Sequence, residues 1–599
     1  MIPGFLLVLL LVLTWNKTSM PIKRGAKKAP WSCQFSRQAI KAMRKGKVLG
    51  PKETPKDLVE RLVKFIAFIE ATYFPDHPGQ ASFLKVLRES IVSREIVPGT
   101  PILLKAGRSD GSLSACCILP IGLNEDRRKV KRMMNIYHQD GMGIGFNLDE
   151  VADPVAMLLD LNAEARRHQA EGTLDRPVGN MAVLSVSHPR IAEFLEVKLK
   201  HPMFEWVFCT SVNIDDAFMK AVKTGSECVL KDDTKVDARA LFNKMAEAAG
   251  KTGEPALLFM DRMSGRSPIQ QDQEEVCTPP CAEMSLTKGE TCQFVYINIA
   301  QLLTKDDIDY ERLGRVVELT VRLLDDIVEH NVHHHRFEGS RQMTRRYRKI
   351  GLGICGLSDA LVTLGIPFGS RQAVRLTAEV LSFINLRSKE ASVELSDVRG
   401  PFEGFEQSAY RIEVGFLYRK FGRFRTKNAS ENDWRRLDKE IKKRGIRNSM
   451  TIILPPTGRS APMFDASQQM EPIFRLYNKG MGFNRQLLVY LKEEYAPEVV
   501  HKALRKVRKD GSILGAAGIS RRTKRLFRTS IEIPYKEHLA MLGAAQRFTD
   551  ESVSKTVNLP RDTRPRRIKR IFWMAYRMGL NGISVYRDGS RNDQPVNLR

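Results

Sequence analysis

Between residues 56 and 89 apolar side chains recur at helical spacing, with Leu58, Leu62, Phe65, Ile66 and Ile69 on one side, until Pro98 and Pro101 interrupt the pattern. Beyond Leu113 the rhythm changes. Short apolar runs at 116–119, 181–186, 257–260 and 294–299 predict buried strands, and amphipathic stretches at 191–199 and 238–249 predict helices between them. That alternation predicts an α/β architecture. A second α/β portion follows, with a helix over 310–329, a strand over 350–354, a helix ending near Leu364 and a last strand signal at 582–586. No fixed-period repeat interrupts this order.

The chain ends read differently. Residues 5–15 form an apolar run close in length to a signal-peptide core, yet no Lys or Arg precedes it and no small-x-small cleavage site follows it. The expectation is a functional start at Met20, a cytoplasmic chain and no membrane span, with residues 1–50 a hydrophobic start and basic tail without fixed structure. Residues 51–105 then make an N-terminal helical segment, 106–592 the main α/β body and 593–599 a frayed end.

Composition narrows the class without naming it. The 599 residues are 42% hydrophobic and 28% charged, values of a folding globular chain rather than a disordered or collagenous one. The net charge of +27 favours an anionic partner such as a nucleotide, nucleic acid or headgroup. Basic segments at 409–447 and 501–528 carry charge on most faces, the usual mark of a solvated surface, so nucleic acid is not the expected partner.

Several motifs carry less than they suggest. Gly351, Gly353 and Gly356 match G-x-G-x-x-G, but no acidic residue ends a second strand at the required distance, and a close-packed strand-to-helix turn explains them. His330, His333, His334 and His335 cluster without a convincing Cys or carboxylate partner, so no metal site is expected there or elsewhere. Gly141, Gly143 and Gly145 alternate, which lets backbone approach a ligand or mark a tight strand entry. Thr457, Gly458, Arg459 and Ser460 after Pro456 combine hydroxyls and a cation in a turn suited to phosphate, although no P-loop pattern occurs.

The nine cysteines are too few and too irregular for a secreted disulfide scaffold, and no C-x-x-C pair exists. Cys281 and Glu283, two apart, project to one side of an extended segment, where a thiol and a carboxylate can share hydrogen-atom and proton chemistry on one substrate. Cys116 and Cys292 are thiols able to supply electrons by closing a disulfide.

Residues 113–120 (Leu-Ser-Ala-Cys-Cys-Ile-Leu-Pro) resemble the first redox-cysteine segment of the ribonucleotide reductase large chain. Gly141 to Asn147, Asn180-Met-Ala-Val-Leu with His188-Pro189, Thr278-Pro-Pro-Cys281-Ala-Glu283, Cys292 with Asn298, Arg348-Lys-Ile-Gly-Leu-Gly and Pro456-Thr-Gly458 follow in the family's order. The segments 554–560 and 582–590 are similar to its adenosylcobalamin-dependent class, and no adjacent Tyr-Tyr pair of the iron-dependent class occurs. The resemblance covers roughly residues 56 to 592.

It implies a ten-stranded α/β barrel of the ribonucleotide reductase and glycyl-radical type, adenosylcobalamin as cofactor, and reduction of ribonucleoside di- or triphosphates to deoxynucleotides. By position, Cys281 is the thiyl radical, Glu283 the base for the 3′ hydroxyl, and Cys116 with Cys292 the reducing pair. Thr100, Ser114, Ala115, Gly143, Pro456, Thr457, Gly458, Arg459 and Ser460 match segments that hold sugar and phosphates. Implied partners are nucleotide effectors, an external thioredoxin-like dithiol and a second copy in a homodimer. The chain departs from the family at Pro279 (Asn there), Ala282 (Gly), Gln293 (Asn) and Arg459 (a small hydroxyl residue), and no cysteine follows Cys355. These departures keep a second reading open, a homologue that binds nucleotides or scaffolds without turnover.

Overall fold

The computed structural model describes residues 35–172, 174, 176–202, 205–269, 276–480 and 482–591. The apolar run at 5–15, Cys33 and the end at 593–599 lie outside them. Residues 37–45 correct the expectation of an unstructured tail. Ser36 caps a helix at Arg37–Lys45 through Ala39 N–H, and Ala39 and Met43 are buried, with Phe35 edge-on to Phe464 at 5.5 Å. The predicted entry helix spans Pro55–Tyr73, opened by a reciprocal Thr54–Asp57 capping box, and buries Leu58, Leu62, Ile66 and Ile69 while Phe65 stays half-buried. A second helix, Gln80–Val92, packs on it.

Fifteen short strands follow among the described residues: β1 (Ile96–Pro98), β2 (Cys116–Ile118), β3 (Gly143–Asn147), β4 (Asn180–Ser185), β5 (Phe208–Asn213), β6 (Glu227–Val229), β7 (Lys235–Asp237), β8 (Ala256–Leu258), β9 (Thr291–Cys292), β10 (Phe294–Asn298), β11 (Gly351–Cys355), β12 (Tyr477–Asn478), β13 (Gly482–Phe483), β14 (Thr556–Leu559) and β15 (Gly582–Arg587). Eight of them form one sheet in the order β14-β15-β8-β5-β4-β3-β2-β9. Pairing within β2, β3, β4, β5 and β8 is parallel, and helices such as Ile191–Lys200 and Ala238–Thr252 cross between strands, as a parallel sheet requires. The junctions β15–β8 and β2–β9 are antiparallel. A second sheet, β1-β10-β11, is linked by parallel bridges from Leu352 to Ile452 and from Leu454 to Val553, just ahead of β14.

The strands belong to one large apolar core, whereas β6–β7 and β12–β13 are separate two-stranded ribbons. Two long helices, Tyr310–His334 and Arg371–Arg399, pack together against it. Between them lies a buried ion cluster. Asp325, fully buried, accepts from Arg348 and Arg399 at 2.8 Å and Arg447 at 3.3 Å, while Glu70 from the entry helix pairs with Arg322 and Arg399. Burial alone would raise the Asp325 carboxyl, but these guanidiniums hold it well below the usual carboxylate range.

A satellite core built by Arg485–Glu494, Pro497–Asp510 and Arg521–Leu526 buries Leu487, Leu491, Val500, Ala503, Val507 and Phe527. The basic segment expected as a solvated face is its outer side, with Lys502, Arg505, Arg508 and Lys509 exposed. No helix among the described residues is long and apolar enough to cross a membrane.

Candidate active site

The site is organised by a hairpin loop inserted against the large sheet. Cys277 and Leu286 exchange both backbone hydrogen bonds, 2.9 and 2.8 Å, and close a ten-residue loop whose tip turns through Ala282 N–H to Pro279 O at 3.0 Å. Ala282 adopts φ +56°, the left-handed region that favours glycine. The alternating glycines of β3 are the bed on which this loop lies. A Cβ on Gly145 would meet Thr278 O at 2.1 Å, and one on Gly143 would meet Gly179 O at 2.5 Å and Pro280 Cγ at 3.0 Å. The close approach that glycine allows is therefore made by the chain's own backbone.

The loop delivers Glu283 beside the paired ends of β2 and β9. Cys116 and Cys292 stand directly opposite in register, and Ala115 N–H donates to Cys292 O at 2.7 Å. Both are free thiols, Cys292 buried and Cys116 half-buried. Their sulfurs and a Glu283 carboxylate oxygen all lie within 4.8 Å of one another. Glu283 is only 1% exposed, and neither carboxylate oxygen has a hydrogen-bond partner among the described residues. Burial pushes its carboxyl up to about 7, where it can exchange a proton near neutrality.

Cys281, at the loop tip, keeps partial exposure. Burial, then the nearby Glu283 and Cys116, raise its thiol well above the ordinary value, so it stays protonated and carries a transferable hydrogen. Cys209 on β5 lies within its electrostatic reach and is itself partnered by Arg591. Cys117, Cys277 and Cys355 are buried core residues, Cys277 with its thiol pushed up to about 12.

Two residues that no motif marked complete the pocket. Arg176 donates from Nε to Gly141 O at 2.7 Å and from Nη2 to Ala115 O at 2.9 Å, and no carboxylate among the described residues pairs with it. Its charge lies within reach of Cys116, Cys292 and Cys281. Tyr296, on β10, packs over Gly353 and donates to Pro456 O at 3.0 Å, joining the thiol pocket to the loop at 456–460. A single arginine or tyrosine in a sequence has no spacing that announces such a role.

In that loop Thr100 and Ser460 hydroxyls are 2.9 Å apart, Gly458 has φ +52° with open space at its Cα, Arg459 is exposed, and the buried Thr457 hydroxyl has no partner among the described residues. Ser114 stands apart from this open polar edge. Its hydroxyl is buried in a network with Thr291 (3.1 Å), Gln293 (3.2 Å) and Asn331 (3.0 Å). Ala115 contributes its backbone, through which β2, β3 and Arg176 are joined. The turn of Gly351, Gly353 and Gly356 is close-packed as expected: added Cβ atoms would strike Phe294, Tyr296 and Asn298 within 2.8 Å. His330 stacks on His334 and bonds Gly111 O at 3.2 Å, a packed helix end.

In a mixed α/β body, an inserted loop thus brings two facing free thiols, a third thiol at its tip and a carboxyl without a partner among the described residues together, a set of groups capable of thiol redox chemistry. Residues 114–586 match the family described as the ribonucleotide reductase barrel domain, and the chain belongs to that family. It is 29% identical to the vitamin B12-dependent ribonucleoside-diphosphate reductase of Thermoplasma acidophilum, over 86% of this chain and 66% of the relative. It is 28% identical to the protein of the same name from Mycobacterium tuberculosis, over 91% and 77%, and 24% identical to the vitamin B12-dependent ribonucleotide reductase of Streptomyces clavuligerus, over 91% and 64%. The chain thus spans about two thirds to three quarters of the length of these relatives.

Proposed function

We propose that this chain is an adenosylcobalamin-dependent ribonucleotide reductase that converts ribonucleoside di- or triphosphates to 2′-deoxyribonucleotides. The observation that carries this reading is the facing pair Cys116 and Cys292 with the unpartnered Glu283 carboxyl within 4.8 Å of both. In the proposed reaction Cys281 removes the 3′ hydrogen atom and Glu283 takes the 3′ hydroxyl proton. The 2′ hydroxyl leaves as water. Cys116 and Cys292 give two electrons and two protons to the substrate and close a disulfide, Cys281 returns the 3′ hydrogen and Glu283 returns the 3′ hydroxyl proton. An external dithiol of thioredoxin type then reopens the disulfide, leaving itself oxidised.

When bound, the coenzyme supplies the homolysis that draws the hydrogen atom from the Cys281 thiol. Partial exposure of Cys281 suits a large group approaching from outside the loop, and Cys209 with Arg591 would border it. Thr100, Thr457, Gly458, Arg459 and Ser460 would hold the phosphates through hydroxyls, backbone and a cation, with Pro456 fixed by Tyr296. Ala115 and the bare backbone of Gly143, whose added Cβ would lie 3.6 Å from Cys116 Sγ, would line the sugar. Ser114 would act from behind, through Gln293 and Asn331.

We also propose that the two sheets close into one ten-stranded barrel, in the order β2, β3, β4, β5, β8, β15, β14, residues 452–454, β11 and β10. Supporting it are the parallel bridges through 452–454, the single residue between β9 and β10, and antiparallel junctions where the two parallel halves meet. In this scheme 51–105 is the entry segment and 106–592 the catalytic body. Action in the cytoplasm, nucleotide effectors and a homodimer complete the proposal.

The test is anaerobic incubation of the chain from Met20 with adenosylcobalamin, dithiothreitol, an effector nucleotide and CDP or CTP. Deoxycytidine product that disappears in Cys281→Ala is expected. No product from folded protein that still binds nucleotide would overturn the reading in favour of a non-catalytic homologue.

A further inference from the structure

Metal-ligand spacing is absent from the sequence because the donors that converge come from three separate places: Cys116 on β2, Cys292 on β9 and Glu283 on the inserted loop. Their ligand atoms lie within 4.8 Å of one another, and inward rotation of the side chains to the roughly 3.5–3.8 Å separations of a tetrahedral zinc site would complete the set. The two Glu283 oxygens are buried and without a hydrogen-bond partner from any other described residue, so a ligand there displaces no hydrogen bond from another described residue. Cys116 keeps partial exposure and offers an entry path. Charge also fits: two thiolates, one carboxylate, the Arg176 guanidinium and one divalent cation sum to zero.

We propose that the reduced site binds one thiophilic divalent cation, Zn2+, through Cys116 Sγ, Cys292 Sγ and a Glu283 carboxylate oxygen, with the fourth position open to water, and that this ion holds the chain inactive. Two sulfurs and one oxygen are a donor set suited to Zn2+ over Mg2+ or Ca2+. Binding releases both thiol protons to solvent, together with that of Glu283 when it is protonated, and moves no electrons. Oxidation of the pair to a disulfide, its two electrons passing to the substrate or to added diamide, removes both sulfur ligands and expels the ion. The site therefore reads its own redox state.

The inference rests on the reading of Cys116 and Cys292 as a redox pair; the test of binding needs no turnover, and the inhibitory role is read separately from product formation. The full chain, reduced and freed of thiol reagent without air, is titrated with Zn2+ against a chromophoric chelator, and with Co2+ for its spectrum. One ion per chain is expected, with intense thiolate-to-cobalt charge-transfer bands and four-coordinate visible bands. Affinity should fall by about a hundredfold in Cys292→Ala and about tenfold in Glu283→Gln, and vanish in diamide-oxidised wild type, a control that needs no substitution. Unchanged affinity in Cys292→Ala or in the oxidised chain, or a cobalt spectrum without thiolate bands, overturns the site. Equal product formation with and without stoichiometric Zn2+ overturns its inhibitory role. Zinc binding as expected in a chain that makes no deoxynucleotide would leave the site standing and remove the reductase reading instead.

Discussion

Asp325 and Glu283 are both buried carboxylates, and the protein treats them in opposite ways. Around Asp325 three arginines and Asn448 converge, and its charge is satisfied from every side. Around Glu283 no other residue among those described donates to the carboxylate, and burial raises its carboxyl to about 7. The first arrangement ties the entry helix and two long helices together; the second leaves a buried carboxyl that can exchange a proton near neutrality, as the proposed reaction requires. Buried charge serves architecture where it is matched and chemistry where it is left unmatched.

The contrast breaks most sharply in activity. Glu283→Gln should lower turnover by about 10²–10⁴-fold, the usual worth of a positioned acid–base group, with nucleotide binding nearly unchanged in a separate equilibrium measurement. Next in size is stability: Asp325→Ala leaves three guanidiniums uncompensated and should cost about 3–5 kcal/mol in urea unfolding. The pH dependence should separate the two groups by sign. Glu283 binds its proton more tightly folded than unfolded, so it stabilises below its ordinary value of 4.5, and that contribution is lost as pH rises through about 7. Its size is on the order of 3 kcal/mol, and Glu283→Gln should flatten that slope. Asp325, depressed by its arginines, stabilises above 3.8 and loses that contribution as pH falls further.

A smaller effect should come from Gly145→Ala, whose Cβ would press on Thr278 O. Displacement of the loop should cost about 1–3 kcal/mol and lower activity without altering Cys116 or Cys292. Smallest is Ala282→Gly, which removes a left-handed alanine and should raise stability by about 1 kcal/mol in thermal unfolding.

Much of the frame was legible because continuous apolar runs survive wherever a strand is buried on both faces, as in β4, β10 and β11. Strand β5 escaped notice since its Thr210 and Ser211 read as polar and break the apolar run, although both are buried. The helix at 37–45 was hidden by its charges: only Ala39 and Met43 face inward, too few to set a period. At the site, Cys281, Glu283, Cys116 and Cys292 could be named through their resemblance to a family. Arg176 could not, because it acts through backbone carbonyls of residues distant in the chain. The glycines of β3 were visible as an approach point, but the approaching group was the protein itself.

That glycine bed has a consequence for redesign. The loop is located at its base by the Cys277–Leu286 pair and by Ser285, which donates to Glu551 and accepts from Lys349, and beneath by bare strand backbone, so its position is set by contacts outside 279–282. It is a socket into which other reactive tips can be fitted: segments of equal length, with a different nucleophile in place of Cys281, should seat at the same depth beside Cys116 and Cys292.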